Sequence, residues 1–282
     1  MIDTGMNATA PVGELIRGWR QRRRLSQMDL GFEAEVSARH ISFLETGRSR
    51  PSREMLLRLA EWLDVPLRDR NGLLLAAGFA PIHPERSLDD PALRSVRQAV
   101  DLVLAGHEPF PALAVDRHWT LVSANRAVPP LLVGAAPDLL RPPVNVLRLS
   151  LHPAGLAPRI ANLAQWRGHL LERLRSQADL TADPTLAALL AELEGYPAPD
   201  PPADRTPERG PDRDLAGIVV PLRLRTGHGE LALFGMTTLF GTPLDVTLAE
   251  LAIESFFPAD PATADVLRQI ADGAQPVGPR DL

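Results

Sequence analysis

The stretch SQMDLGFEAEVSARHISFLETGRSRP, Ser26 to Pro51, constrains this chain more than any other. It predicts two short helices set at an angle. Ser26 is a natural N-cap for a helix over Gln27 to Ala34. Ser37 caps a second helix that runs to about Thr46, where Gly47 stops it. On that second helix, at ~100° per residue, Ile41 and Leu44 share one side. Ala38, Arg39, Ser42, Phe43 and Thr46 fall opposite. Two large apolar residues anchor the helix to a neighbour. The other face offers a guanidinium, a hydroxyl, a methyl and a ring, chemistry suited to base edges in a major groove. Arg39 is the first candidate for base contact, bidentate to a guanine, with Ala38, Ser42 and Phe43 lining the groove. Gln27, Ser37, Arg48, Arg50 and Arg53 are the candidates for phosphate contact.

The pieces SQMDL, VSARHIS and LETGRSRPS, at their observed spacing, resemble the Xre-type, lambda-repressor-like helix-turn-helix. The resemblance covers about residues 12 to 80. Phe32 and Glu35 depart from it, standing where small residues and Gly are more usual. The resemblance implies that Arg20 faces Glu45 as a partly buried ion pair tying the first helix to the recognition helix. A domain this small reads a short half-site, so a homodimer on palindromic double-stranded DNA is expected.

Composition narrows the alternatives. The 282 residues suffice for two ordinary domains. There is no cysteine, which excludes disulfides, thiol catalysis and Cys-ligated zinc. No apolar run approaches the ~20 residues of a membrane span. The N-terminus is not a signal peptide, and a cytoplasmic protein is expected. All 30 basic residues are arginine. With the heavy use of Ala, Leu and Pro, this matches a GC-rich coding bias, so an arginine alone is weak support for a chosen ligand. Residues 1–80 hold twelve arginines against ten acids, so +2, and the remainder carries −7 of the overall −5. The basic excess lies with the helix-turn-helix.

Taken in order, residues 1–11 read as a flexible arm. A first helix runs from Val12 to Arg24, with Leu15, Ile16 and Trp19 as its apolar stripe and a run of arginines at one end. Ser52 caps a fourth helix, and Asp69 to Ala77 makes a fifth, closed by Gly78. Residues 81–90 read as a linker. A helix follows from Pro91 to Gly106, then two short strands, Ala112 to Asp116 and Thr120 to Asn125, around a tight turn. Helical segments come next, ending with Pro184 to Glu194. Residues 195–214, with six prolines, read as a mobile loop. Three strand-like runs are expected after it, Leu215 to Arg225, Glu230 to Leu239 and Leu244 to Ile253. A last helix, Ala262 to Ala271, precedes a tail at 273–282. The fold class expected is α+β: an all-α five-helix domain over 12–80, then an antiparallel sheet with helices over 91–272.

That strand and helix order is PAS-like. The words LAVDRHWTLVSAN, PPVNVLRLSLHPAGL and LAQWRGHLLERL resemble the MmyB-like regulators, whose helix-turn-helix is joined to a PAS-like ligand-binding domain. The resemblance implies a transcription regulator that senses a small apolar molecule, with fatty-acid-like ligands associated with the family. No histidine pair has metal-ligand spacing, and no nucleophile or phosphate-binding motif occurs, so neither an enzyme nor a metal or other cofactor beyond such a bound molecule is expected. Ligand-binding candidates are Trp119, Asn145, Arg148, His152, Trp166, Leu222 and Phe234. Arg148 and His152, one turn apart if helical, would hold an anionic end. The rival account is an interaction or dimerisation module that binds DNA but no ligand.

Overall fold

The computed structural model describes residues 10–197, 219–241 and 243–273. Most of the expected arm, most of the Pro-rich loop, the start of the run from Leu215 and the tail after residue 273 lie outside them. The chain divides into two units, each packed within itself.

The first unit is helical: α1 (Val12–Arg22), α2 (Gln27–Glu33), α3 (Ala38–Glu45), α4 (Arg53–Trp62) and α5 (Leu67–Ala76). The caps act as their chemistry requires. Ser26 Oγ accepts from the Asp29 amide at 3.1 Å, and the Ser26 amide donates back to the Asp29 carboxylate at 2.8 Å, closing a capping box. Ser37 and Ser52 cap α3 and α4 in the same manner. Ile16, Leu30, Ile41, Leu44, Leu56 and Leu59 form the centre of one apolar cluster. Two positions bear on how the helices meet. A Cβ on Gly13 would lie 2.3 Å from the Leu44 carbonyl oxygen, so α1 rests directly on the backbone of α3. Glu35, in the turn between α2 and α3, holds φ at +55°, the left-handed conformation that glycine adopts at least cost.

Arg20 locks the α1–α3 crossing. Its Nε donates to Glu45 Oε1 at 2.6 Å and its Nη2 to Oε2 at 3.0 Å, while Nη1 donates to the Leu25 carbonyl at 2.7 Å. Gln27 Nε2 adds a third donor to Glu45, at 2.8 Å. The Glu45 side chain is 2% exposed. Burial alone would raise its pKa; the bonds from Arg20 and Gln27 outweigh it and hold the carboxyl below its ordinary value. Arg23 is also structural, donating to the Leu63 and Asp64 carbonyls at the end of α4.

Two expectations about chain course change here. Residues 81–87, read as linker, belong to the helical unit. The Asn71 side chain accepts from the Ile82 and His83 amides and donates to the His83 carbonyl. The run from Leu244, expected to be strand, instead forms the short α10 (Val246–Ala249) in this same unit. Val246 donates its amide to the Pro84 carbonyl at 2.9 Å. Asp245 pairs with Arg86 at 3.0 Å, and the Thr247 hydroxyl donates to the Arg86 carbonyl at 2.6 Å. The apolar spacing was real, but these bonds bend it into one helical turn.

The second unit is a five-stranded antiparallel sheet: β1 (Ala112–Val115), β2 (Leu121–Ala124), β3 (Leu222–Thr226), β4 (Gly229–Leu239) and β5 (Ala252–Pro258), in the order β2-β1-β5-β4-β3. The last strand thus begins where the sequence reading ended it, and Glu254 lies in its interior. One face packs α6 (Arg94–Gly106) through Val100 and Leu104 against Ala112, Ala114 and Ile253. After β5 comes α11 (Pro261–Gly273), whose Thr263 hydroxyl accepts from the Ala232 amide of β4. Across the other face run α7 (Val146–Leu151), α8 (Leu163–Thr181) and α9 (Pro184–Glu194). Buried Asn125 holds the end of β2, accepting from the Ala112 amide and donating to the Leu104 and Phe110 carbonyls. This is the α+β arrangement the sequence led us to expect. Among the described residues, no helix is long and apolar enough to cross a membrane.

Arg20→Ala and Glu45→Ala should each destabilise the protein by about 3–5 kcal/mol, because each leaves a buried charge without its partner. The double variant should lose clearly less than the sum of the two. Thermal melts of the three variants read both effects. Glu45 titrates below its ordinary value in the folded chain, so its contribution is full above that value and fades as pH falls through the folded one. The melting-temperature gap between wild type and Glu45→Gln should therefore narrow below about pH 4.

Candidate functional site

Two surfaces gather functional side chains, one in each unit. In the helical unit, α3 turns Ile41 and Leu44 into the core at 0% and 1% exposure. Its other side leaves Arg39 exposed, with Ala38, Ser42 and Phe43 half-buried beside it. The guanidinium of Arg39 lies 5.3 Å from the centre of the Phe43 ring, and that of Arg48 lies 5.9 Å from it. Both guanidiniums thus lie within cation–π distance of the ring. Arg48, Arg50 and Arg53 are exposed on the turn that leads into α4. Among the described residues none of these four arginines is paired with a carboxylate, whereas Arg20 and Arg23 are held by the fold.

Two of the expected phosphate contacts already have bonds within the protein. Gln27 donates its amide to Glu45, so its first role is to orient the Arg20–Glu45 pair. Ser37 Oγ accepts from the His40 amide as the cap of α3, which leaves its hydroxyl hydrogen as a donor.

In the sheet unit a cavity of ≈ 430 Å³ lies between the sheet and α7 and α8. Leu113, Leu121, Leu131, Leu147, Leu149, Leu156, Leu170, Val219, Val220, Leu222, Leu233 and Phe256 give it a largely apolar wall. Trp119 and Trp166 line it, and both ring nitrogens are satisfied. Trp119 Nε1 donates to Gln177 at 2.8 Å, and Trp166 Nε1 to Ser150 at 3.0 Å. Trp119 holds φ at +65°, a conformation a bulky residue rarely adopts, in the tight turn between β1 and β2. One end of the cavity is polar. There Arg173 of α8 meets Glu254 of β5 at 2.6 Å, and Thr237 of β4 bonds to both.

The expected ligand contacts are therefore redistributed. Trp119, Trp166 and Leu222 line the cavity; Asn145, Arg148, His152 and Phe234 do not. Asn145 caps α7, accepting from the Arg148 amide, and donates to the His118 carbonyl. The helix stops at Leu151, so His152 leaves the face it was expected to share with Arg148. Arg148 instead closes a fork on Glu192 of α9 at 2.7–3.0 Å, which neutralises it. Phe234 points to the opposite side of the sheet and stacks on Phe257 at 5.4 Å, because neighbours along a strand face opposite ways. The polar end was missed altogether. Its signal is an acid inside an apolar strand, AIESFFP, and the run expected from the sequence ends at Ile253, one residue short of Glu254.

Residues 11–73 match the family described as helix-turn-helix domain. Residues 96–270 match the family described as MmyB-like transcription regulator ligand binding domain. No curated protein matches significantly. Among solved structures, one of an RNA-binding light-oxygen-voltage receptor aligns at 14% identity and a TM-score of 0.25, covering 95% of this chain and 64% of its own. The chain thus spans less than two thirds of that protein, and a likeness this weak bears on neither fold nor function.

Gly235 lines the cavity, and a Cβ there would meet only the Phe256 ring, at 3.7 Å. Gly235→Val should therefore leave the melting temperature unchanged or slightly raised, since valine suits a strand better. It should also reduce uptake of an environment-sensitive apolar dye, measured by fluorescence titration.

Proposed function

The chain belongs to the MmyB-like transcription regulators, and from that premise we propose a cytoplasmic, sequence-specific regulator whose cavity takes a largely apolar, acyl-chain-sized effector. Its helix-turn-helix and its ligand-binding domain support a DNA-binding transcription regulator.

The observation that supports the DNA reading is the exposed side of α3 with its unpaired arginines. We assign Arg39 to a guanine, with Ala38, Ser42 and Phe43 against neighbouring base edges. Arg48, Arg50 and Arg53 supply phosphate contacts that position the domain without reading sequence. Ser37 adds a neutral hydroxyl at the start of α3. Gln27 enters as a second-hand contributor, through Glu45. One such domain reads few base pairs, so we propose a homodimer on a palindromic operator.

The observation that supports the effector reading is the cavity itself. Its volume, ≈ 430 Å³, falls in the range of small-molecule sites, and its wall is mostly hydrocarbon with a few placed polar groups. A dry core would have closed over that space with side chains, which is why the ligand-free dimerisation module is the weaker account. The effector acts on transcription only by favouring one arrangement of the regulator over another, since equal affinity for both shifts nothing.

Two outcomes are expected. Arg39→Ala should lose about 1–3 kcal/mol on the operator and relax preference at one base pair, while Arg50→Ala should weaken all sequences alike and reduce the salt slope by about one. Binding titrations on matched, mismatched and random duplexes at several salt concentrations separate them, and an equal loss for Arg39→Ala on all three would remove it from base reading. Second, each methylene added to an effector chain should tighten binding by about 0.8 kcal/mol, roughly fourfold, until the cavity is full. Tryptophan fluorescence with a homologous series of chains reports this through Trp119 and Trp166.

A further inference from the structure

The polar end of the cavity carries two charges that cancel. Arg173 gives Nη2 to Glu254 Oε1 at 2.6 Å and Nη1 to Oε2 at 3.1 Å. Nη2 also donates to the Thr237 hydroxyl at 2.8 Å, and that hydroxyl donates onward to the Glu254 carboxylate at 3.0 Å. The guanidinium lies 4.5 Å from the centre of the Trp119 ring. The Glu254 side chain is 8% exposed, that of Arg173 33%. Among the described residues, no other Arg, Asp or Glu lines the cavity; the remaining polar side chains there are Ser150, Gln165 and the exposed imidazole of His169.

Resting on the reading of this cavity as the effector site, we propose that the effector's polar group is an uncharged hydrogen-bond acceptor, the carbonyl of an amide, ester or lactone, and not a free carboxylate. A carboxylate entering here would give up its hydration in a hydrocarbon wall, and Arg173, the cation among the described lining residues, is already neutralised by Glu254. It would also stand beside the Glu254 carboxylate, a like charge at low dielectric. A neutral carbonyl pays a much smaller desolvation cost and feels no such repulsion. Arg173 has five N–H groups, of which three are engaged by Glu254 and Thr237. Its remaining donors match an acceptor oxygen, and the hydrogen bond to a charged donor is among the stronger ones available.

Arg173 and Glu254 also sit on different elements, α8 and β5. The pair therefore selects the head group and at the same time staples the helix to the sheet beneath it. Apolar contact along the cavity sets how much chain is held; the pair decides which end chemistry is admitted.

The test uses the full-length protein at neutral pH with four probes of one chain length: dodecanoic acid, dodecanamide, methyl dodecanoate and dodecane. Affinities come from tryptophan fluorescence titration, with thermal melts alongside. The amide and the ester should each bind about tenfold tighter than the acid. In Glu254→Gln, which removes the negative charge and keeps one acceptor oxygen for Arg173 and Thr237 while losing the other, the acid should gain about tenfold while the amide changes little. Wild-type affinity for the acid equal to or above that for the amide overturns the neutral-head assignment while leaving the effector cavity standing. Equal binding of dodecane and the amide overturns it too, by making the polar end idle. No response to any of the four removes the effector reading itself, and this assignment with it. The wild-type comparison decides the matter even if Glu254→Gln fails to fold.

Discussion

The helical unit depends on the Arg20–Glu45 pair more than on any other single interaction. Glu45 is the last residue of α3, and Arg20 is near the end of α1. Their fork fixes the azimuth of α3, while the close approach at Gly13 fixes its distance from α1. With both set, Ile41 and Leu44 must point inward, and Arg39, Ser42 and Phe43 must point away. Such a pair adds little net stability when compared with apolar residues of the same size, because both ions lose water. Its value lies in direction. An apolar contact tolerates rotation of the helix, whereas a bidentate fork with a third donor from Gln27 does not.

Arginine serves opposite ends in the two units. The composition has no lysine, so one side-chain type must anchor, cap and bind. Arg23 closes the end of α4, Arg167 donates to carbonyls at the end of α9, and Arg148 staples α7 to α9 through Glu192. Only the pairing state distinguishes these from Arg39, Arg48, Arg50 and Arg53. Counting arginines therefore says little about ligands, and the carboxylate or carbonyl that engages each one says far more.

The cavity arises from a mismatch between the sheet and the helices above it. Gly235 contributes no side chain to the face on which Leu233 and Thr237 stand, and Trp119 is held at an unusual backbone angle at the cavity wall. The satisfied indole nitrogens show that these rings are fixed parts of the wall, not fillers free to collapse inward. A largely apolar wall with one polar end responds to chain length in even steps and to head-group chemistry in a single larger one, because an unmatched buried polar group costs more than one missing methylene.

Much was legible in the sequence alone. Caps at Ser26, Ser37 and Ser52, the two-residue apolar stripe of α3 and the hairpin around Trp119 are local signals, and local signals fix elements. The face of α3 followed directly from its period. The Arg20–Glu45 pair came only through the family resemblance, since nothing local joins residues 25 apart. Tertiary structure decided the rest. The run from Leu244 became a helical turn because Pro84 and Arg86 hold it, which no periodicity reveals. Phe234 and Arg148 looked suited to a ligand by type, yet strand alternation turned one away and Glu192 claimed the other. The Arg173–Glu254 pair joins residues 81 apart, on a helix and a strand that meet only when the sheet is complete. Sequence sets the direction of a side chain within its element; what stands in front of it is settled by packing.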